Sequence, residues 1–88
     1  MDLDRGWSLH RQVSVRPEPF GALLYHFGTR RLSFLKDRML LDVVQRLDDS
    51  ATARDACRTA GVTEDQLPTY RAALEALERS SMLVERTT

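Results

Sequence analysis

The first regular pattern along the chain is an alternation. From Gln12 to Arg16 apolar and polar residues take turns, with Val13 and Val15 on one side. A period of two with β-branched residues predicts a short strand. Pro17-Glu18-Pro19 follows and reads as a rigid turn, because proline lacks a backbone donor and restricts its neighbour. A second strand is expected over Gly21–Phe27, with Leu23, Tyr25 and Phe27 on one face and Ala22, Leu24 and His26 on the other. Gly28-Thr29 offers a reversal, with Gly28 free to take positive φ. A third strand follows over Arg31–Leu35, Leu32 and Phe34 facing together and Arg31 and Ser33 opposite.

The period then lengthens. Leu40, Val43, Val44 and Leu47 form one helical stripe behind Asp37, a side chain suited to an N-cap. Asp48-Asp49-Ser50 ends that helix. A second, short helix is expected behind Ser50 or Thr52, with Ala53, Ala56, Cys57 and Ala60 inside and Gly61 at its C-terminus. A third begins near Leu67, with Pro68 in its first turn, and runs to about Arg79. Leu67, Tyr70, Leu74 and Leu77 mark its inner face. Met82-Leu83-Val84 reads as a final strand or a strapped-down tail.

The expected fold is α+β: a three-stranded antiparallel meander, then a three-helix, winged-helix-like bundle. One domain is expected over 1–88, divided into a loose start (1–11), the meander (12–35), three helices (37–79) and a tail (80–88).

Composition narrows the function. The chain of 88 residues is 42% hydrophobic and 30% charged, which is globular rather than disordered. No apolar run approaches the roughly 20 residues that cross a bilayer. Met1–Arg11 carries no long apolar segment behind a basic head, so no signal peptide is expected and a cytoplasmic location is the default. Thirteen basic and thirteen acidic residues balance, so strong non-specific nucleic-acid binding is not expected.

Candidate chemistry is sparse. His10 and His26 form no metal-binding spacing with each other or with Cys57, the single cysteine, which reads as core filler. The glycines stand too far apart for a phosphate loop. Asp48-Asp49 reads as a solvated turn. No catalytic residue, metal or cofactor is expected.

Two binding readings remain. A winged-helix DNA-binding regulator would place the third helix in the major groove, but that segment opens on Glu64 and Asp65, which phosphates repel. The alternative uses the sheet. Three strands cannot close into a barrel, so an edge stays open to an added strand. The segment Arg30–Leu35 together with the third helix would form a groove, apolar anchors setting affinity and Arg30, Arg31 and Arg71 setting orientation. Taken singly, Phe34, Tyr70 and Leu74 each read first as interior positions. The same edge is also able to pair two copies into a homodimer.

The run Trp7-Ser8-Leu9-His10-Arg11-Gln12-Val13-Ser14-Val15-Arg16-Pro17-Glu18-Pro19-Phe20-Gly21-Ala22-Leu23-Leu24-Tyr25-His26 resembles the start of the PqqD-like peptide chaperones of the mycofactocin system. Thr29-Arg30-Arg31-Leu32-Ser33-Phe34-Leu35-Lys36 continues the likeness; over 37–84 it is one of pattern. The resemblance implies a RiPP recognition element, a non-catalytic domain that binds the leader of a ribosomally made precursor peptide. It implies presentation of that leader to a radical S-adenosylmethionine maturase, which holds the iron–sulfur clusters itself. It implies that the leader pairs with the third strand, at Arg30, Arg31, Leu32, Ser33 and Phe34. Against the third helix it implies contacts near Leu67, Tyr70, Arg71, Leu74 and Glu78. The Arg16–Gly21 turn is the most distinctive part of the likeness, and either shapes the sheet or touches the enzyme.

Overall fold

The computed structural model of the chain describes residues 1–86. Five strands and three helices follow in order: β1 (Trp7–Leu9), β2 (Val13–Glu18), β3 (Gly21–His26), β4 (Arg31–Leu35), α1 (Arg38–Arg46), α2 (Ala53–Ala60), α3 (Leu67–Arg79) and β5 (Leu83–Glu85). The meander is present as an antiparallel sheet in the order β2-β3-β4, and the three helices follow it. Its register pairs Val15 with Leu24 and Leu24 with Ser33, and Arg16 with Leu23 and Leu23 with Phe34. Period two therefore splits the sheet into two faces. Ala22, Leu24, His26 and Leu35 are buried against the helices, while Leu32 and Phe34 face outward.

The helix stripes read from the sequence form the core. Leu40, Val43, Val44 and Leu47 are all buried, as are Ala53, Ala56 and Cys57. Small side chains on α2 let it lie close to α1. The Asp37 carboxylate accepts the Leu40 N–H at 2.6 Å and caps α1. Thr52 caps α2 through the Asp55 N–H at 3.1 Å, and Gly61 ends it with φ of 102°. Pro68 falls in the first turn of α3, where its missing donor costs nothing. Thr63 and Gln66 make half a capping box, the Thr63 N–H donating to Gln66 Oε1 at 3.1 Å.

Four expectations need correction. The start of the chain is not loose. Leu3 and Trp7 are buried, and β1 pairs with β5, Trp7 opposite Glu85 and Leu9 opposite Leu83. The cause lies in the backbone: the first two N–H groups of α2, on Ala53 and Arg54, donate to the carbonyls of Arg5 and Leu3 at 3.0 and 2.9 Å. The amino-terminal arm thus satisfies donors that every helix start leaves open. Second, Pro17 and Glu18 belong to β2 rather than to a turn. β2 is an edge strand, so the missing donor of Pro17 is tolerated. Third, the left-handed residue of the β3–β4 turn is Arg30 (φ 62°), not Gly28. His26 supplies the alternative closure: its buried ring accepts the Gly28 and Thr29 N–H groups on Nδ1 at 3.0 and 3.1 Å. Fourth, α1 stops at Arg46, and Leu47–Asp49 tightens into a 3₁₀ turn. Of the expected tail, Leu83–Glu85 is strand, and residues 87–88 lie outside the described residues.

Gly21 is the glycine that the fold requires most. It has φ of 155°, and a Cβ there would collide with the carbonyl oxygen of Leu35 and lie 3.0 Å from the Asp37 nitrogen. Both obstacles are backbone and cannot step aside. Gly61 also has positive φ, but nothing lies within 4 Å of its would-be Cβ. Gly21→Ala should therefore cost about 2–4 kcal/mol, from strain plus overpacking. Gly61→Ala should cost only about 1 kcal/mol. Urea unfolding followed by circular dichroism measures both, and equal losses would contradict the asymmetry.

Candidate functional site

β4 has one neighbour, β3, and its other long edge has no strand beside it among the described residues. Such an edge offers backbone donors and acceptors to an incoming chain. Beside it runs a groove of about 460 Å³ between β4 and α3. Leu35, Leu40 and Leu77 form its floor, all buried. Leu32, Ser33 and Phe34 form the strand wall. The helix wall is Thr69, Tyr70, Ala73, Ala76 and Ser80. These recur at helical spacing and are mostly small, so a guest side chain can come close to the helix axis. Lys36 and Asp37 close one end.

Of the residues named from the sequence, Leu32, Ser33, Phe34 and Tyr70 meet in this groove. Arg30 and Arg31 are exposed at the start of β4, outside it. Four helix positions lie elsewhere. Leu74 is fully buried in the core. Leu67 and Arg71 line a separate depression across α3, with Leu3, Pro68 and Glu75, and Arg71 pairs with Glu75 at 3.2 Å. Glu78 is half-buried and does not reach the groove. The leucines at 74 and 77 pack inside as their phase suggests, and the groove face is offset from theirs by about one residue, or about 100°. The alanines at 73 and 76 were missed because alanine adds little to an amphipathic pattern. The detectable signal was the spacing Thr69, Ala73, Ala76, Ser80, a row of small residues on one face.

Cys57 and the histidines take no part. Cys57 is buried, and burial pushes its thiol up, away from the reactive thiolate. His10 accepts the Gln12 N–H on Nδ1 at 3.0 Å, and its ring lies 4.4 Å from that of His26. Both histidines organise turns. No group of three or more metal-ligating side chains gathers among the described residues.

Residues 6–84 match the model of the Peptide chaperone MftB family. Among relatives, "Peptide chaperone MftB" of Mycobacterium tuberculosis is 62% identical over 87 residues, covering 99% of this chain and 80% of the relative. The proteins of the same description from Mycobacterium ulcerans and Mycolicibacterium smegmatis are 61% and 59% identical over 83 residues, covering 94% of this chain and 76% and 81% of their own lengths. No solved structure matches.

One polar contact ties the two walls together. The Tyr70 hydroxyl donates to Asp37 Oδ2 at 3.2 Å, while the other oxygen of the same carboxylate caps α1. Desolvation, aided by the adjacent Asp37 charge, holds the Tyr70 phenol above its ordinary value of 10.0. The folded state therefore prefers the neutral phenol. Its contribution is complete below the unfolded pKa and is lost as pH rises through the folded one. The wild-type melting temperature should begin to fall as pH rises past the ordinary phenol value of 10.0. Tyr70→Phe should fall less steeply from there upward, and parallel slopes in a pH series of thermal melts would refute the coupling.

Proposed function

The chain belongs to the peptide chaperone MftB family, and on that premise we propose that it carries a precursor peptide by its leader, added as a strand to β4. It acts without chemistry of its own, in mycofactocin biosynthesis. The leader-bound peptide is then handed to a radical S-adenosylmethionine maturase. The observation that carries this reading is the unpaired β4 edge beside an apolar groove floored by Leu35, Leu40 and Leu77.

The division of labour follows from magnitudes. A leucine- or phenylalanine-sized side chain that leaves water for the groove contributes roughly 1.5–3 kcal/mol. An exposed ion pair contributes about 0–1 kcal/mol. Alternate leader side chains therefore set affinity by entering the groove, and backbone bonds to β4 fix the register. Arg30 and Arg31, exposed where β4 begins, favour an acidic segment at that end of the guest. DNA binding is the weaker reading, because Glu64 and Asp65 are exposed just ahead of α3 and would meet phosphates with like charge.

Filling the groove tests the proposal. Ala76 is exposed on the helix wall, so Ala76→Arg should fold normally and weaken leader binding by about tenfold or more, equivalent to about 1.4 kcal/mol. Arg71→Ala, on the other side of α3, should leave affinity within about twofold. Fluorescence anisotropy with labelled leader measures both. Unchanged affinity in folded Ala76→Arg would place the guest elsewhere.

A further inference from the structure

The sheet has a second face, which meets the groove only along β4, at Leu32 and Phe34. Even positions of β2 pair with odd positions of β3 and even positions of β4 on this side, giving the rows Arg16–Leu23–Phe34 and Ser14–Tyr25–Leu32. No helix covers it: Leu32 is 55% exposed, Phe34 62% and Phe27 61%. Phe27 packs edge-on against Tyr25 with ring centroids 5.0 Å apart. Phe20, also exposed, leans to within 6.3 Å of the Phe34 ring, beside the position where Gly21 contributes no side chain. Four aromatic rings and two leucines thus form a contiguous apolar surface open to water. A patch of this kind on a small protein marks an interaction site.

Its rim is cationic. Arg16, Arg30, Lys36 and Arg38 are all exposed around it. Between Arg16 and Arg38 the carboxylates are Glu18, which Arg16 engages at 2.8 Å, and Asp37, whose two oxygens are taken by the Leu40 N–H and the Tyr70 hydroxyl. A second copy of the chain would bring like charges together around the patch, which opposes self-pairing. A protein surface with an apolar centre and a carboxylate rim complements it.

Resting on the leader-carrier reading above, we propose that this outer face docks the enzyme that receives the peptide, through an apolar patch on that enzyme framed by acidic residues. The face and the groove meet at β4. A leader strand added to β4 would send alternate side chains down toward α3 and the intervening ones out beside Leu32 and Phe34. The enzyme then contacts chaperone and guest on one continuous surface, and the edge occupied by the leader is not the surface occupied by the enzyme. Aromatic anchors at the centre of such an interface carry most of its binding energy, and the charged rim sets encounter rate and salt dependence.

Phe20 and Phe27 belong to the outer face and not to the groove, so they separate the two functions. The experiment compares wild type with the Phe20→Ser/Phe27→Ser double variant, after circular dichroism shows that both are folded. Leader binding is read by anisotropy, and binding of the purified radical enzyme by biolayer interferometry at two salt concentrations. The variant should keep leader affinity within about twofold and lose enzyme affinity by about tenfold or more. An Arg16→Glu/Lys36→Glu variant should bind the enzyme more weakly, with a reduced salt dependence. Unchanged enzyme affinity in the serine variant overturns the proposal. So does joint loss of leader and enzyme binding, which would merge the two surfaces into one. Co-sedimentation of wild type, but not the variant, with anionic phospholipid vesicles would reassign the face to a membrane. Self-association in sedimentation velocity that the variant abolishes would reassign it to a second copy. Failure of wild type to bind leader at all would sink the leader-carrier reading instead, leaving enzyme docking to be judged by the interferometry.

Discussion

An unpaired strand edge is a hazard unless the molecule controls what approaches it, and the arrangement of this chain follows from keeping the β4 edge open and selective. The strand is only five residues long. It is preceded by Arg30, opens on Arg31 and is followed by Lys36, all exposed, so a second copy meets like charge at either end. α3 stands beside the edge without covering it, which limits entry to a chain that also fits the groove. The edge is usable because the remaining elements hold α3 at that distance.

Two anchorages set the distance. At its carboxyl end α3 closes through Ser81 in the left-handed conformation, with the Met82 N–H bonded to the Leu77 carbonyl at 2.9 Å. Met82 is fully buried, and the chain passes directly into β5, which pairs with β1. Arg86 then donates from its guanidinium to the carbonyls of Asp48 and Ser50, tying β5 to the turn ahead of α2. On the opposite wall, Gly21 lets β3 pass against the end of β4, and Asp37 holds both the start of α1 and the hydroxyl of Tyr70. The groove width is therefore decided by residues far apart in sequence, from Leu3 to Arg86.

That separation explains what could be read in advance. Elements whose pattern is local were legible: the three strands of the meander, the stripe Leu40–Leu47, the Asp37 and Thr52 caps, Gly61 and Pro68. The open β4 edge followed from counting strands. The amino-terminal arm was not legible, because it caps α2 with backbone carbonyls and any side chain at Leu3 or Arg5 offers the same oxygen. Pro17 looked like a strand breaker because its position on the sheet edge is a fact of topology. Arg30 in left-handed geometry carried no signal, since the compensation comes from His26, four residues earlier. On α3 the leucines indicated the helix face that packs inside, whereas the groove is lined by the adjacent face, where alanine and hydroxyl side chains leave room.

The alternation within β4 connects these points. Ser33 and Leu35 turn toward the helices, and Leu32 and Phe34 turn away, while the backbone edge lies between the two directions. A strand with one neighbour offers three separate surfaces: an inner face, an outer face and an edge. Here the core takes the inner face, and the groove opens along the edge, with Leu32, Ser33 and Phe34 on its strand wall. An incoming strand needs only the edge and the inner face, so its arrival leaves the outer face free and enlarges it. A helix carrier would have to share one apolar stripe between guest and recipient. A sheet edge needs no such compromise, and on the reading proposed above this geometry would let a chain of this size hold one polypeptide while meeting another.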